Sequence, residues 1–563
     1  MKSVLIEVCD TKFDIIIKDG RVIDGTGNPW YKADVGIVGE RIREIGILPA
    51  SSADTVIDAS ELAVSPGFID IHAHSDLVLP LGDNAEILSP FVCQGTTTQV
   101  IGNCGISPAP VNKDRLNLMK GYLALITARE APWNWSSFGD YLAVLEKTGV
   151  VVNVAPLVGQ GAIRFSVMGA KAAEPTKKER DEMRALLART MEDGAIGMSS
   201  GLIYPPGMWT TTEDLIDLCH VVAKYGGVFT CHVRGSSETA IESEKEIIEI
   251  GRKTGVRVEH SHSEAFGRAH WAKVEETVQL DEEARREGID IAFDVIPYTT
   301  ANTYLTAIFP PWSLEGGVPK LIERLSDKET RAKIQHDVEH KIPEWPPWKP
   351  GGWPHNLVEA TGWENIRLLY VASEKNRKLL GKSLGEVATQ VGKHPFDAAA
   401  DLVIEERGDV MALYVGVTGD LTDDEHLKLL LRHPLGSIGP DAIVTGKGIP
   451  HPAAYGSFPR VLGRYGRDMR LFTIEEAVRK MTSLPSQRMR LKERGILLRG
   501  YFADIVVFDP EIVIDNATYD NPFQFPTGIE YVLVNGKLVV KRGKHNTKVI
   551  AGKVLRPNGR VPA

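Results

Sequence analysis

Cysteine is scarce: five residues, Cys9, Cys93, Cys104, Cys219 and Cys231, in a chain of 563. That number cannot staple a fold of this size, so a disulfide framework is excluded and a reducing, cytoplasmic setting is expected. A cysteine with a task is then a metal ligand or a nucleophile. Long apolar runs are missing too: none approaches the roughly 20 residues a membrane helix needs, and no membrane partner is expected. The opening "MKSVLIEVCDTKFD" has one early lysine and a short apolar stretch before an acidic break, which does not match a signal peptide. Positive charge is not in excess. The net charge of −9 argues against a nucleic-acid partner held through phosphates. No G-x-G-x-x-G follows a strand pattern, which counts against a dinucleotide-binding doubly wound sheet. What these absences leave is an enzyme or binding protein for a small molecule, as a monomer or a homo-oligomer.

Hydrophobic residues make up 43% and charged residues 25%, the balance of an ordinary globular protein. At this length a large domain with a smaller one is expected. The two ends resemble each other. "FDIIIKDGRVIDG" reads as two strands turning at Asp19-Gly20, and "EYVLVNGKLVVKRGK" turns at Asn535-Gly536, because glycine accepts a positive φ in tight hairpins. The ends are expected to form one small β-sandwich domain from residues 1–65 and 485–563. Between them eight β-branched runs alternate with helical stretches: "GFIDIHAHSD", "TTTQVIGNC", "VVVNVAPLVG", "AIGMSSGL", "VFTCHVR", "VRVEHSH", "IDIAFDVIPY" and "GSIGPDAIV". That rhythm is α/β and predicts a (β/α)₈ TIM-like barrel over residues 66–484. After Tyr298 about 140 residues pass before the last strand pattern, with Trp345, Trp348, Trp353 and Trp363 close together. This predicts an insertion at residues 300–435 between strands seven and eight, part of it a lid.

In such a barrel the chemistry sits at the carboxyl ends of the strands. The polar residues there are His72 and His74, Cys104, His232, His260 and His262, and Asp441. A strand has a side-chain period of two, so His72 and His74 are expected to face one way, and His260 and His262 likewise. Each residue alone has an ordinary explanation: a hydrogen-bonded histidine, a small buried thiol, a helix-capping aspartate. Together at one barrel mouth they are better explained by a divalent metal, since buried imidazoles without partners are costly. His336, His340, His394, His426, His433 and His545 lie in polar or helical stretches and receive no role.

"IIIKDGRVIDGTGNPWYKADVGIVGERI", "GFIDIHAHSD", "QGTTTQVIGNCGIS", "GMSSGLIYPPG", "HVR", "SHSEAFGR", "PYTTANTYL" and "HPAAYGSFPRVLGRY" span nearly the whole chain. With them the sequence resembles the amidohydrolase superfamily, and within it the D-aminoacylases (N-acyl-D-amino-acid deacylases). The resemblance implies a metal-dependent hydrolase that splits the amide bond of N-acyl-D-amino acids or related N-acyl compounds. It implies metal ligands at His72, His74, Cys104, His232 and His262, and the catalytic acid/base at Asp441. Zinc is the implied ion, one held tightly through Cys104, His232 and His262, with a second divalent ion held more weakly or not at all. "AIGMSSGL" has no lysine, whereas many amidohydrolases carry a metal-bridging carbamylated lysine on strand four; this favours Cys104 in that place. Tyr204, Tyr298 and Arg460 are the expected substrate contacts, the arginine through its planar fork. Two departures stand out. Ser263-Glu264 replaces the family's His-Lys, putting a carboxylate where the substrate's own carboxylate is expected. Asn302 replaces a serine. Arg234, Arg268 and Arg460 are the bases available to compensate.

Two rival readings remain at this level: a cyclic amidohydrolase of the hydantoinase or dihydroorotase kind, and a metal-binding scaffold without catalysis. The absent strand-four lysine speaks against the first. Asp441 speaks against the second, since a scaffold needs no acid/base.

Overall fold

The computed structural model describes residues 12–127, 129–349 and 351–557. Cys9 and most of the N-terminal stretch judged above for a signal peptide lie outside the described residues. All eight alternating runs are strands of one parallel sheet: β1 Phe68–Asp70, β2 Thr96–Ile101, β3 Asn153–Gly159, β4 Gly197–Gly201, β5 Val228–His232, β6 Arg257–His260, β7 Ile291–Val295 and β8 Gly436–Ile438. They pair in chain order from β1 to β8. Apart from Arg257 at the start of β6, every residue of these strands is buried, as expected where helices cover a parallel sheet. Between the first and last strands a single bond stands out, from the Asp441 amide to the His72 carbonyl at 3.1 Å. The covering helices include Lys177–Asp193, Thr212–Lys224, Ala240–Thr254 and Lys273–Arg286. Their starts are written in the sequence; Thr176 and Glu179, for example, form a reciprocal capping box. Among the described residues no helix is long and apolar enough to cross a membrane.

Strands from both ends of the chain share one nine-stranded sheet. The ends join where Ile505–Phe508 pairs antiparallel with Ala63–Pro66. Asn535 (φ 47°) and Gly536 (φ 74°) make the hairpin expected of them. Asp19-Gly20 does not. Phe13–Val22 runs through as one strand, with its register against Tyr31–Val38 shifting between Ile17 and Gly20. Asp19 takes φ 59°, and its amide donates to Asp34 Oδ1 at 2.8 Å. The positive φ at Asp19 makes a bulge instead of a turn because Asp34 on the neighbouring strand holds it.

Between β7 and β8 the chain builds an antiparallel sheet of Thr300–Tyr304, Val410–Val415 and Ile366–Val371, with Val410–Val415 in the middle. It packs helices around its own core, which Trp209 and Phe266 from the barrel loops enter. Trp353 is buried there, and the Arg234 guanidinium lies over the Trp348 ring at 4.8 Å.

Candidate metal centre

Cys104 follows β2 by three residues and sits at the centre of a buried cluster. Its Sγ is 3.2 Å from His72 Nε2, 3.7 Å from His232 Nδ1 and 3.7 Å from His262 Nε2. Thiolate and imidazole ligands on one tetrahedral zinc, with bonds of about 2.3 and 2.0–2.1 Å, stand about 3.6 Å apart. The separations to His232 and His262 match that geometry. A second group adjoins it: Asp441 Oδ1 lies 3.1 Å from His74 Nε2 and 3.4 Å from His72 Nε2. Both triads, His72–Cys104–His262 and His72–His74–Asp441, bring their ligand atoms close enough to share an ion.

The backbone is shaped for this. Cys104 (φ 52°), His262 (φ 39°) and Asp441 (φ 43°) all lie in the left-handed region. Non-glycine residues held there cost free energy and cluster at functional sites. The turn at His262 also separates it from His260. Strand β6 stops at His260, whose Nδ1 meets Glu244 Oε2 at 2.7 Å against the helix Ala240–Thr254. The expectation that His260 and His262 face one way therefore fails, because the strand period ends before His262. Similarly, His72 and His74 lie beyond the end of β1, yet both reach Asp441.

Two residues that carried no role in the sequence stand near the cluster, and one of them, Asp294, supports its ligands. Asp294, on β7, accepts from the His262 amide at 2.9 Å, and its other oxygen meets His72 Nδ1 at 3.3 Å. One carboxylate thereby fixes two imidazole-bearing segments; an aspartate inside the apolar run "IAFDVIPY" was the available signal. Glu264 Oε1 is 3.1 Å from His262 Nδ1, the ring nitrogen opposite the one facing Cys104. The second overlooked residue is His355, from the insertion. It is buried, its ring meets Phe266 edge-on at 5.1 Å, and neither ring nitrogen has a hydrogen-bond partner. Burial, and then the neighbouring His232, push its pKa down to about 3, so the ring is neutral. The only signal was a histidine within the tryptophan-rich stretch.

Electrostatics favour ionised ligands. Burial pushes the Cys104 thiol up, but His72 and the hydrogen bonds from His232 and His262 bring it well below its ordinary value. Burial likewise raises Asp441, and the charges of His72, His74 and His262 outweigh it, leaving the carboxyl low. A narrow cavity of about 30 Å³ opens onto the cluster, walled by Tyr204, Glu264, Asn302, Thr303, His355 and Asp441 among others. Tyr204 stands in it with its hydroxyl 2.7 Å from Thr303 Oγ1. Tyr298 and Arg460 are not among the lining residues. Arg460 donates to Asp515 Oδ2 at 2.9 Å and lies over the Tyr298 ring, whose hydroxyl donates to the same carboxylate.

An eight-stranded parallel barrel with this Cys-His-Asp mouth defines a metal-dependent hydrolase of the amidohydrolase class. The model of the Amidohydrolase family matches residues 55–342 and 364–540, and the chain belongs to that family. It is 34% identical to an N-acyl-D-glutamate deacylase of Alcaligenes xylosoxydans xylosoxydans, over 97% of each chain. It is also 34% identical to a D-aminoacylase of the same organism, over 96% of this chain and 98% of the relative. The fold superposes, with TM-score 0.80 and 32% identity, on an N-acyl-D-glutamate deacylase of Bordetella bronchiseptica complexed with zinc and a phosphonate inhibitor that mimics the tetrahedral intermediate. That match covers 97% of this chain and all of the other. A D-hydantoinase structure shares the fold alone, at 14% identity and TM-score 0.52. A dihydroorotase of Bacillus subtilis is 24% identical over 43% of this chain, so the likeness to cyclic amidohydrolases is distant.

Proposed function

We propose that this enzyme hydrolyses the amide bond of N-acyl-D-amino acids or related N-acyl compounds, releasing a carboxylic acid and an amine. The observation that carries the reading is Asp441: a carboxylate kept ionised, 3.1 Å from His74 at the edge of a thiolate–imidazole cluster. In this reading Cys104, His232 and His262 hold one zinc ion tightly. His72 and His74, with Asp441, offer a weaker second position, since they bring no thiolate of their own. The ion, when bound, supplies a Lewis acid that polarises the scissile carbonyl and lowers the pKa of water.

The remaining chemistry belongs to the chain. Asp441 accepts a proton from the attacking water and returns it to the leaving amine nitrogen, the two halves of general acid–base catalysis. Asp294 and Glu264 keep His72 and His262 in their orientations. The Tyr204 hydroxyl, positioned by Thr303, donates to the substrate. Buried apolar walls, Ile106, Leu125 and Phe266 among them, exclude bulk water and strengthen each of these contacts.

The test is zinc-loaded protein assayed for amine release on a panel of N-acyl-D-amino acids, their L enantiomers and cyclic amides. Turnover of the linear D compounds above both others is the expected result. Turnover confined to hydantoins or dihydropyrimidines would replace the reading with the cyclic one.

A further inference from the structure

Apart from the histidines of the metal cluster and His355, the walls of the site cavity carry no basic side chain. Among the described residues that line it there is neither lysine nor arginine, while Asp441 and Glu264 both face it. The three arginines nearest in sequence to the motifs are each committed elsewhere. Arg234 is fully buried against Glu246 at 2.8 Å. Arg460 is held on Asp515 at 2.9 Å, and Arg268 is exposed on the surface near Asp420. A zinc ion at Cys104, His232 and His262 has its two charges matched by the thiolate and by Asp441. Glu264 is then a carboxylate fixed on the ring of His262 with no cation left to neutralise a second carboxylate beside it. The same cavity is lined by His355, buried and with two ring nitrogens that find no hydrogen-bond partner in the protein. Buried polar groups are ordinarily satisfied, and an orphan facing a cavity points to a ligand group that completes it.

We propose that the amine half of the substrate carries no free carboxylate and presents an uncharged carboxamide to Glu264 and His355. The chemistry is complementary. A carboxamide N–H₂ donates to a carboxylate, and its carbonyl accepts from a neutral imidazole N–H. A free carboxylate in the same place can only accept, faces Glu264 with like charge, and loses affinity accordingly. This deepens the amide-hydrolysis reading and rests on it: the enzyme cleaves the N-acyl bond of amino-acid amides, or of chains whose carboxyl end is masked as an amide.

The experiment compares zinc-loaded enzyme on N-acetyl-D-leucine and N-acetyl-D-leucinamide. The amide is expected to have the higher kcat/KM by about tenfold or more, with the difference in KM, as befits a binding contact remote from the scissile bond. Asn302→Lys places a cation in the cavity without touching the ligands or the Glu264–His262 contact, and is expected to move the ratio toward the free acid by about tenfold or more. His355→Phe is expected to raise KM for the amide and leave that for the acid in place. A wild-type enzyme that handles the free acid as well as the amide, or an Asn302→Lys ratio that does not move, overturns the proposal and leaves amide hydrolysis standing. No turnover of either compound brings down the hydrolysis reading itself, and this proposal with it.

Discussion

Cys104 separates a metal centre from a coincidence of buried polar groups, because it is the one thiolate among the proposed ligands and touches three imidazoles. Cys104→Ala is expected to abolish tight zinc binding, read as metal content after dialysis; a variant that still held one ion as firmly as the wild type would remove the assignment. Asp441→Asn keeps the shape of the side chain but cannot accept a proton. It is expected to retain zinc and lose about 10²-fold or more in kcat. Near-normal kcat would show that the proton goes elsewhere. At this scale the sequence was informative where residue type alone carries the chemistry: His72, His74, His232, His262, Cys104 and Asp441 come together in one cluster, while His260 turns away. Asp294 and His355 were not legible. The role of Asp294 depends on which face of β7 meets His262, and that of His355 on how a long insertion folds back over the barrel.

Between elements, the cluster of Glu244, His260 and Asp281 shows what became of a histidine expected at the mouth. It joins the helix Ala240–Thr254, β6 and the helix Lys273–Arg286. Burial raises Glu244 to about 7 and lowers His260 to about 4. The 2.7 Å contact therefore joins two uncharged groups at mildly acid pH and is not an ion pair. The sign follows: a carboxyl with a folded pKa above its ordinary 4.5 stabilises the protein fully below 4.5, and that contribution fades as the pH rises through 7. Glu244→Gln removes the titration and keeps the shape. The variant is expected to match the wild type in unfolding free energy at pH 4.5 and to exceed it by up to about 3 kcal/mol at pH 8. A difference that does not grow with pH would mean that Glu244 is ionised throughout. All eight barrel strands were legible because each is an apolar, β-branched run bounded by turn residues. Asp19-Gly20 was misread because a dipeptide that favours positive φ serves a bulge as well as a hairpin. Only the partner strand, through Asp34, decides which.

For the whole molecule, sheet and barrel are locked together by a buried polar network. Asp504 forms an ion pair with Arg494 and accepts from the Asn535 amide at 2.8 Å and from Asn153 Nδ2, at the start of β3, at 3.1 Å. Asn535 in turn donates to Asn153 Oδ1 at 2.8 Å. Every group is satisfied, so removing one leaves buried charge behind. Asp504→Ala is expected to cost about 3–5 kcal/mol of stability, read as a shift in the denaturant midpoint with zinc bound. A wild-type midpoint would show that Arg494 finds water or another partner.

The pairing of Ala63–Pro66 with Ile505–Phe508 also sets a timetable for the nascent chain. The N-terminal strands leave the ribosome early, but the strand that completes their sheet follows about 440 residues later. At about 5–20 residues per second this is a wait of about 20–90 s. Throughout it, Ala63–Pro66 offers an open β-edge, and the barrel must close next to a half-built sheet. Such an edge recruits other strands, so the yield of this protein in a cell depends on how well that edge is shielded until translation is nearly complete.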